Sequence, residues 1–150
     1  MGSSAKAFPI ALRFLECCFC SATFAILCYL NFSWRSINVT AFLFGTGVTG
    51  LILSFIHMLV HVAAVAGVKM DSLGSQLFCS FMMMMLLFAA SCASASFTSR
   101  MCNSYSSSFL LGFVQDSCTL LKWSNAMGFL GTITYMTSFW VFTSFIYMEA

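Results

Sequence analysis

The chain has 150 residues, of which 61% are hydrophobic and only 7% are charged, whereas soluble domains carry about 25% charged residues. Its net charge of +2, without a cluster of lysine and arginine, gives no basis for nucleic-acid binding. A single proline leaves the helical runs almost unbroken. We therefore expect an all-α integral membrane protein whose partners are the lipid bilayer and other transmembrane subunits or further copies of itself.

Four apolar runs are long enough to cross a bilayer, which takes about 20 residues of helix. Short connections between consecutive runs favour antiparallel neighbours. The prediction is a single four-span domain over residues 1–150, a four-helix transmembrane bundle with spans at about 8–30, 41–68, 75–97 and 125–148.

The first span contains two charged residues, Arg13 and Glu16. Pro9 falls at the start of the run, where proline is tolerated. The run lacks the cleavage pattern of a removed signal peptide, so we expect an uncleaved signal anchor. Charges inside a transmembrane run are rare and usually have partners, which makes these two residues candidates for an intramembrane site.

The first connection, residues 31–40, holds two N-x-Ser/Thr patterns, at Asn31 and Asn38. Both are candidate glycosylation sites, which places this connection on the luminal or extracellular side. Lysine and arginine are equally divided between the two faces, so the positive-inside rule does not decide the orientation. From the acceptor patterns we expect both termini to be cytosolic.

The second span carries His57 and His61, whose i, i+4 spacing puts them on one helix face. With a rise of about 1.5 Å per residue in antiparallel helices, these histidines lie in the same leaflet as Arg13 and Glu16. Two interpretations remain open. In one, Arg13 snorkels to the interface, Glu16 pairs with it and the histidines hydrogen-bond locally. In the other, Glu16 and His57 relay protons.

The second span also spells G-x-G-x-x-G through Gly45, Gly47 and Gly50. No strand precedes this motif and no acidic residue completes it, so it is not a nucleotide site. In an apolar helix such glycines form a groove that admits a neighbouring backbone. Gly128 and Gly131 of the fourth span offer a similar surface for helix packing.

The two remaining connections differ in length. Residues 69–74 predict a tight charged turn, whereas residues 98–124 form the longest polar stretch. Its apolar patch, residues 109–114, is too short to span and is expected at the interface or folded back on the bundle. Cys102 and Cys118 lie in this stretch and are candidates for a disulfide, which would close a loop of about 17 residues and contribute about 3 kcal/mol.

A metal or catalytic site has weaker support. The two histidines can share a metal, with Glu16 or a first-span cysteine as third ligand, but the match to known ligand patterns is loose. The sequence has no paired carboxylates, no Ser-His-Asp candidate at a common depth and no phosphate loop. We therefore predict no metal, no cofactor and no enzymatic activity.

The layout resembles the MARVEL-type tetraspans and the related Casparian-strip-membrane-protein-like family. The likeness is carried by residues 12–16 (Leu-Arg-Phe-Leu-Glu), residues 124–131 (Ser-Asn-Ala-Met-Gly-Phe-Leu-Gly) and the cysteine pair of the second outer loop. The Casparian-like proteins pair an arginine of the first span with an aspartate of the third. Here the third span has no acidic residue, so the partner of Arg13 is Glu16 or another group. The resemblance implies a non-enzymatic tetraspan that organises membrane patches, vesicles or junctions.

From these patterns we expect a non-enzymatic scaffold or an accessory subunit of a membrane assembly. One alternative is a small channel or proton-coupled carrier that uses Glu16, His57 and His61. The other is a pigment- or haem-binding subunit of a larger membrane complex, with His57 or His61 as ligand.

Overall fold

A computed structural model describes residues 3–30, 37–66, 73–104 and 111–149. Within these ranges the chain forms four α-helices and no strand, which confirms the prediction of an all-α fold. The helices are α1 (Ser3–Cys28), α2 (Asn38–Val65), α3 (Leu73–Ser104) and α4 (Leu111–Glu149).

The four helices pack with antiparallel neighbours. α1 contacts α2 and α4, and α3 contacts α4 and α2. Arg13, early in α1, lies over the ring of Phe142, late in α4, and Asn125 of α4 donates to Thr98, late in α3. The beginnings of α1 and α3 therefore lie at the same end of the bundle as the ends of α2 and α4.

The interior of the bundle combines an apolar core with many buried polar side chains. Arg13 and Glu16 are fully buried, and many hydroxyl side chains are buried with them. Every helix turns large apolar side chains outward, for example Phe14, Ile52, Phe78 and Trp140. A partly polar interior beneath an apolar exterior is the arrangement expected of helices surrounded by lipid.

Three helices are long and apolar enough to cross a membrane, at Phe8–Cys28, Asn38–Ala63 and Gly74–Asn103. Their mean hydropathies are 1.8, 1.9 and 2.0. This finding is consistent with a membrane protein. Within the described residues, the fourth predicted span is not among them. That α4 also crosses the membrane remains a proposal.

The helices extend further than the apolar runs predicted. α2 begins at Asn38, α3 continues to Ser104 and α4 begins at Leu111. The predicted connection over residues 98–124 is therefore wrong, and only residues 105–110, outside the described part of the chain, separate α3 from α4. Hydroxyl side chains are compatible with helix here because they bond to their own helix. Thr98, for example, donates to the carbonyl of Ser94 at 2.7 Å.

Other predicted boundaries also shift. Residues 111–114 of the apolar patch belong to the start of α4, so this part does not fold back separately. Pro9 lies inside α1, which begins earlier, at Ser3; in this position proline removes one backbone hydrogen bond of the helix. Gly74 is helical, so the turn predicted over residues 69–74 ends before α3, and residues 67–72 lie outside the described ranges.

The two candidate glycosylation sites have different positions. Asn31 lies outside the described residues, and the polar connection predicted over residues 31–40 ends sooner than expected. Asn38 is the first residue of α2 and its side chain is exposed. Glycosylation at either position stays a prediction.

The predicted glycines separate into an inward and an outward set. A Cβ atom on Gly47 would lie 3.8 Å from the carbonyl oxygen of Cys20 and from the backbone nitrogen of Phe24, so α1 and α2 approach closely there. Gly50, Gly128 and Gly131 also face neighbouring helices. A Cβ on Gly45 would have no atom within 4 Å, so this glycine lies on the outside.

The end of the bundle opposite Arg13 is held by apolar packing and a covalent bond. Leu27, Leu43 and Leu121 are fully buried in its core. A disulfide joins Cys102 of α3 to Cys118 of α4, with their Cα atoms 6.0 Å apart. The predicted disulfide is thus present, although it links two helices rather than the ends of a loop.

Candidate functional site

The centre of the candidate site is an ion pair within α1. Nη1 of Arg13 lies 2.7 Å from Oε2 of Glu16, and both side chains are fully buried. Their i, i+3 spacing places the two on one helix face. The snorkelling interpretation requires the guanidinium to reach the surface of the bundle, and it does not.

Each of the other three helices contributes a serine to this ion pair. Arg13 donates through Nη2 to Ser80 of α3 at 2.9 Å. Ser54 of α2 donates to Oε2 of Glu16 at 3.2 Å, and Ser138 of α4 donates to Oε1. All four helices thus meet at a single pair of charges, which we call the Arg13–Glu16 network.

Tyr135 extends the network between α4 and α2. Its hydroxyl donates to the carbonyl oxygen of Gly50 at 2.9 Å and contacts the hydroxyl of Ser54. The ring itself is almost fully buried. This contact ties the backbone of α2 to a side chain of α4.

Phe142 of α4 connects the ion pair to one of the histidines. The guanidinium carbon of Arg13 lies 4.8 Å from the centre of the Phe142 ring. The His61 ring stacks on the same phenylalanine, with centroids 5.4 Å apart and planes 5° from parallel. A cation over an aromatic ring contributes about 2 kcal/mol where both are removed from water.

The two histidines lie beside the network without joining its hydrogen bonds. His57 is buried and His61 partly buried, and Gln76 of α3 faces His61. Among the described residues, the hydrogen bonds of Glu16 go to Arg13 and to serine hydroxyls, not to an imidazole. A direct proton transfer between Glu16 and His57 therefore has no hydrogen bond to follow.

Three buried nitrogens around the network have no hydrogen-bond partner in the described part of the chain. They are Nε of Arg13, Nδ1 of His57 and Nε2 of His61. Buried polar atoms usually bond to protein or to water, so these nitrogens are available to a small polar ligand. This is the chemical feature that keeps the carrier alternative open.

A metal centre has no assembled ligand set here. Across the described residues, no three side chains of histidine, cysteine, aspartate or glutamate are grouped so as to hold a metal ion. The third ligand that the sequence offered to His57 and His61, either Glu16 or a cysteine of α1, is not brought to them.

The sequence did not identify the serines that bond to the ion pair, Ser54, Ser80 and Ser138, nor Tyr135, which bonds to the carbonyl of Gly50. Their only sequence signal is position, since each lies at a depth similar to that of Arg13 and Glu16 in an otherwise apolar run. Depth alone does not select them, because the same helices hold many serines that face other directions.

No protein-family model, curated protein or solved structure matches this chain.

Proposed function

We propose that the chain is a non-enzymatic four-span membrane protein that acts as a scaffold or as an accessory subunit of a membrane assembly. The observation that carries this proposal is the distribution of its side chains. The charged pair and its hydrogen bonds are enclosed at the centre, while each helix presents large apolar side chains outward. Such a surface is suited to lipid and to other transmembrane helices.

The fourth span is supported by α4 itself. Between Lys122 and Glu149 the sequence has no charged residue, a stretch of about 26 residues where about 20 are sufficient to cross a bilayer. Within this stretch Ile133, Met136 and Trp140 are exposed at intervals of three and four residues. One continuous face of α4 is therefore apolar and outward.

The Arg13–Glu16 network has the features of a structural element. Its two charges cancel, and its hydrogen bonds run to the three other helices. A buried polar group of this kind specifies which helices pack together and in which register. The network thus gives the bundle a defined surface for partners.

A groove of about 310 Å³ between α2 and α3 is the best candidate for a partner contact. On α2 it is lined by Ala41, Gly45 and Thr49 at four-residue spacing, with Met83 and Leu86 on α3. Small residues at this spacing allow close approach of another transmembrane helix. The open space above Gly45 is where that approach is closest.

The test is the native mass of the protein extracted in mild detergent, with mass spectrometry of the complex. We expect an assembly larger than one chain, which Gly45→Leu dissociates by filling the groove. Gly74→Leu is the matched control, because a Cβ atom there also has no atom within 4 Å but lies outside the groove. A single-chain mass for the native protein, or an intact assembly in Gly45→Leu, would contradict the proposal.

The second candidate function is a small channel or proton-coupled carrier, favoured by the three unpartnered nitrogens of Arg13, His57 and His61. It is tested by proton flux into vesicles reconstituted with the purified chain. Glu16→Gln is expected to abolish flux while the assembly survives, and the exposed Asp116→Asn is the control. Absence of flux with the native chain, or unchanged flux in Glu16→Gln, would reject this function.

A further inference from the structure

A second polar cluster lies at the end of the bundle opposite Arg13 and Glu16. It borders a cavity of about 460 Å³ between α3 and α4, which we call the α3–α4 groove. The groove is lined by Ala95, Thr98, Ser99, Cys102, Asn103, Lys122, Asn125, Ala126 and Phe129. None of these residues takes part in the Arg13–Glu16 network.

The lining of the α3–α4 groove changes along the helices. Toward the disulfide it is polar, with the exposed side chains of Ser99, Asn103 and Lys122. Toward the middle of the bundle it is apolar, with Ala126 and Phe129. A ligand that fits this gradient has a charged end and a hydrocarbon end.

Asn125 lies between the two halves with an unused acceptor. Its side chain is 6% exposed, and Nδ2 donates to Oγ1 of Thr98 at 3.2 Å. Thr98 donates its own hydroxyl hydrogen to the carbonyl of Ser94, so Asn125 must be the donor in this contact. Oδ1 of Asn125 is then left with no partner among the described residues, and a buried acceptor of this kind is stabilised by a donor from a ligand.

Aromatic side chains indicate that this end of the bundle lies at head-group level. Trp123, beside Lys122 in the sequence, is 57% exposed, and Tyr29 at the end of α1 is 82% exposed. Tryptophan and tyrosine concentrate at the boundary between the hydrocarbon and the polar head groups. The polar half of the groove is thus placed among head groups and the apolar half among acyl chains.

We propose that the α3–α4 groove binds one phospholipid whose head group carries a hydrogen-bond donor. The ammonium of Lys122 pairs with the lipid phosphate, and Oδ1 of Asn125 accepts a hydrogen bond from the head group. An acyl chain lies along Ala95, Ala126 and Phe129. The inference rests on the proposal that α4 spans the membrane, but it does not depend on which partner the scaffold binds.

The experiment is native mass spectrometry of the full chain, purified in detergent and titrated with lipids of identical acyl chains. Phosphatidylcholine has three N-methyl groups where phosphatidylethanolamine has ammonium hydrogens, so only the latter has a head-group donor. We expect the former to bind about fivefold more tightly, the equivalent of one hydrogen bond to Asn125. Lys122→Gln is expected to weaken the binding of both lipids about fivefold. Arg100 is an exposed cation outside the groove, and Arg100→Gln is expected to leave the binding of both lipids unchanged.

A second pair of variants tests the apolar half of the groove. Ala126→Phe fills the space proposed for the acyl chain and is expected to abolish lipid retention. Ala93→Phe places the same side chain on an exposed position of α3 outside the groove and is expected to retain lipid.

Several outcomes would overturn the inference. Equal affinity of Lys122→Gln and the native chain would remove the phosphate contact, and equal affinity for the two lipids would remove the role of Asn125. Glycerol phosphate bound as tightly as the lipids would replace the phospholipid by a soluble phosphate ligand. A cysteine placed at the exposed position Ile133 that reacts, above the native background, with a membrane-impermeant maleimide in sealed vesicles would instead refute the fourth span, so the two failures are distinguishable.

Discussion

Replacing Glu16 by leucine should be the most damaging single change in the bundle, because it leaves the guanidinium of Arg13 buried without a counter-charge. In the native chain Arg13 donates to Glu16 at 2.7 Å and to Ser80 at 2.9 Å. In Glu16→Leu the contacts that remain are Ser80 and the face of Phe142. Removing one partner of a buried ion pair costs about 3–5 kcal/mol, which lowers the unfolding midpoint by on the order of 10 °C for a chain of this size.

The double variant Arg13→Met with Glu16→Leu separates two explanations of that loss. If desolvation of an unpaired charge is the cause, removing both charges restores stability to within about 1–2 kcal/mol of the native chain, since apolar replacements of buried pairs are often neutral. The freed hydroxyls of Ser54 and Ser138 can bond to carbonyls of their own helices instead.

The assay is thermal unfolding of the purified protein in detergent, followed by far-ultraviolet circular dichroism. Asp116→Leu is the control, because it removes an exposed carboxylate of α4 and should leave the midpoint unchanged. An unshifted midpoint in Glu16→Leu, or a double variant as unstable as the single one, would refute the reasoning.

Three further predictions use the same unfolding measurement. Gly50→Val should lower the free energy of unfolding by about 1–3 kcal/mol through overpacking, since a Cβ atom there would lie 2.7 Å from Sγ of Cys20. Gly45→Val places its side chain outward and should leave the free energy of unfolding unchanged, so equal losses in the two variants would contradict this prediction. Cys118→Ser should lower the free energy of unfolding by about 3 kcal/mol. Reductant should cause the same loss in the native chain and no further loss in the variant. Tyr135→Phe should cost about 1 kcal/mol with unchanged helical content, and an unaltered midpoint would show that the bond to the Gly50 carbonyl contributes nothing.

Helix periodicity and rise predicted that Arg13, Glu16, His57 and His61 lie at a similar depth, and in the structure Arg13 and His61 lie against the same ring of Phe142. Antiparallel neighbours joined by short connections leave little freedom in depth. The apolar runs likewise predicted the all-α fold, and three of the four are confirmed as long and apolar enough to cross a membrane. Cys102 and Cys118 were recognisable as a pair because no other two cysteines lie outside the predicted apolar runs.

Hydropathy did not locate the helix ends. α3 and α4 continue well past residues 97 and 125 toward the disulfide, because serine and threonine lower the hydropathy of a segment without preventing a helix. A side chain such as Thr98, bonded to its own helix, is compatible with the continued backbone.

Rotation of each helix about its axis was decided only by the tertiary structure. Gly45 and Gly47 belong to one glycine motif, yet two residues of helix turn the chain by about 200°, so one faces outward and the other packs against α1. Helix rotation also determines which of the many serines face the ion pair, namely Ser54, Ser80 and Ser138. Depth follows from the length of chain between two residues, whereas the direction of a side chain depends on which neighbouring surfaces pack together.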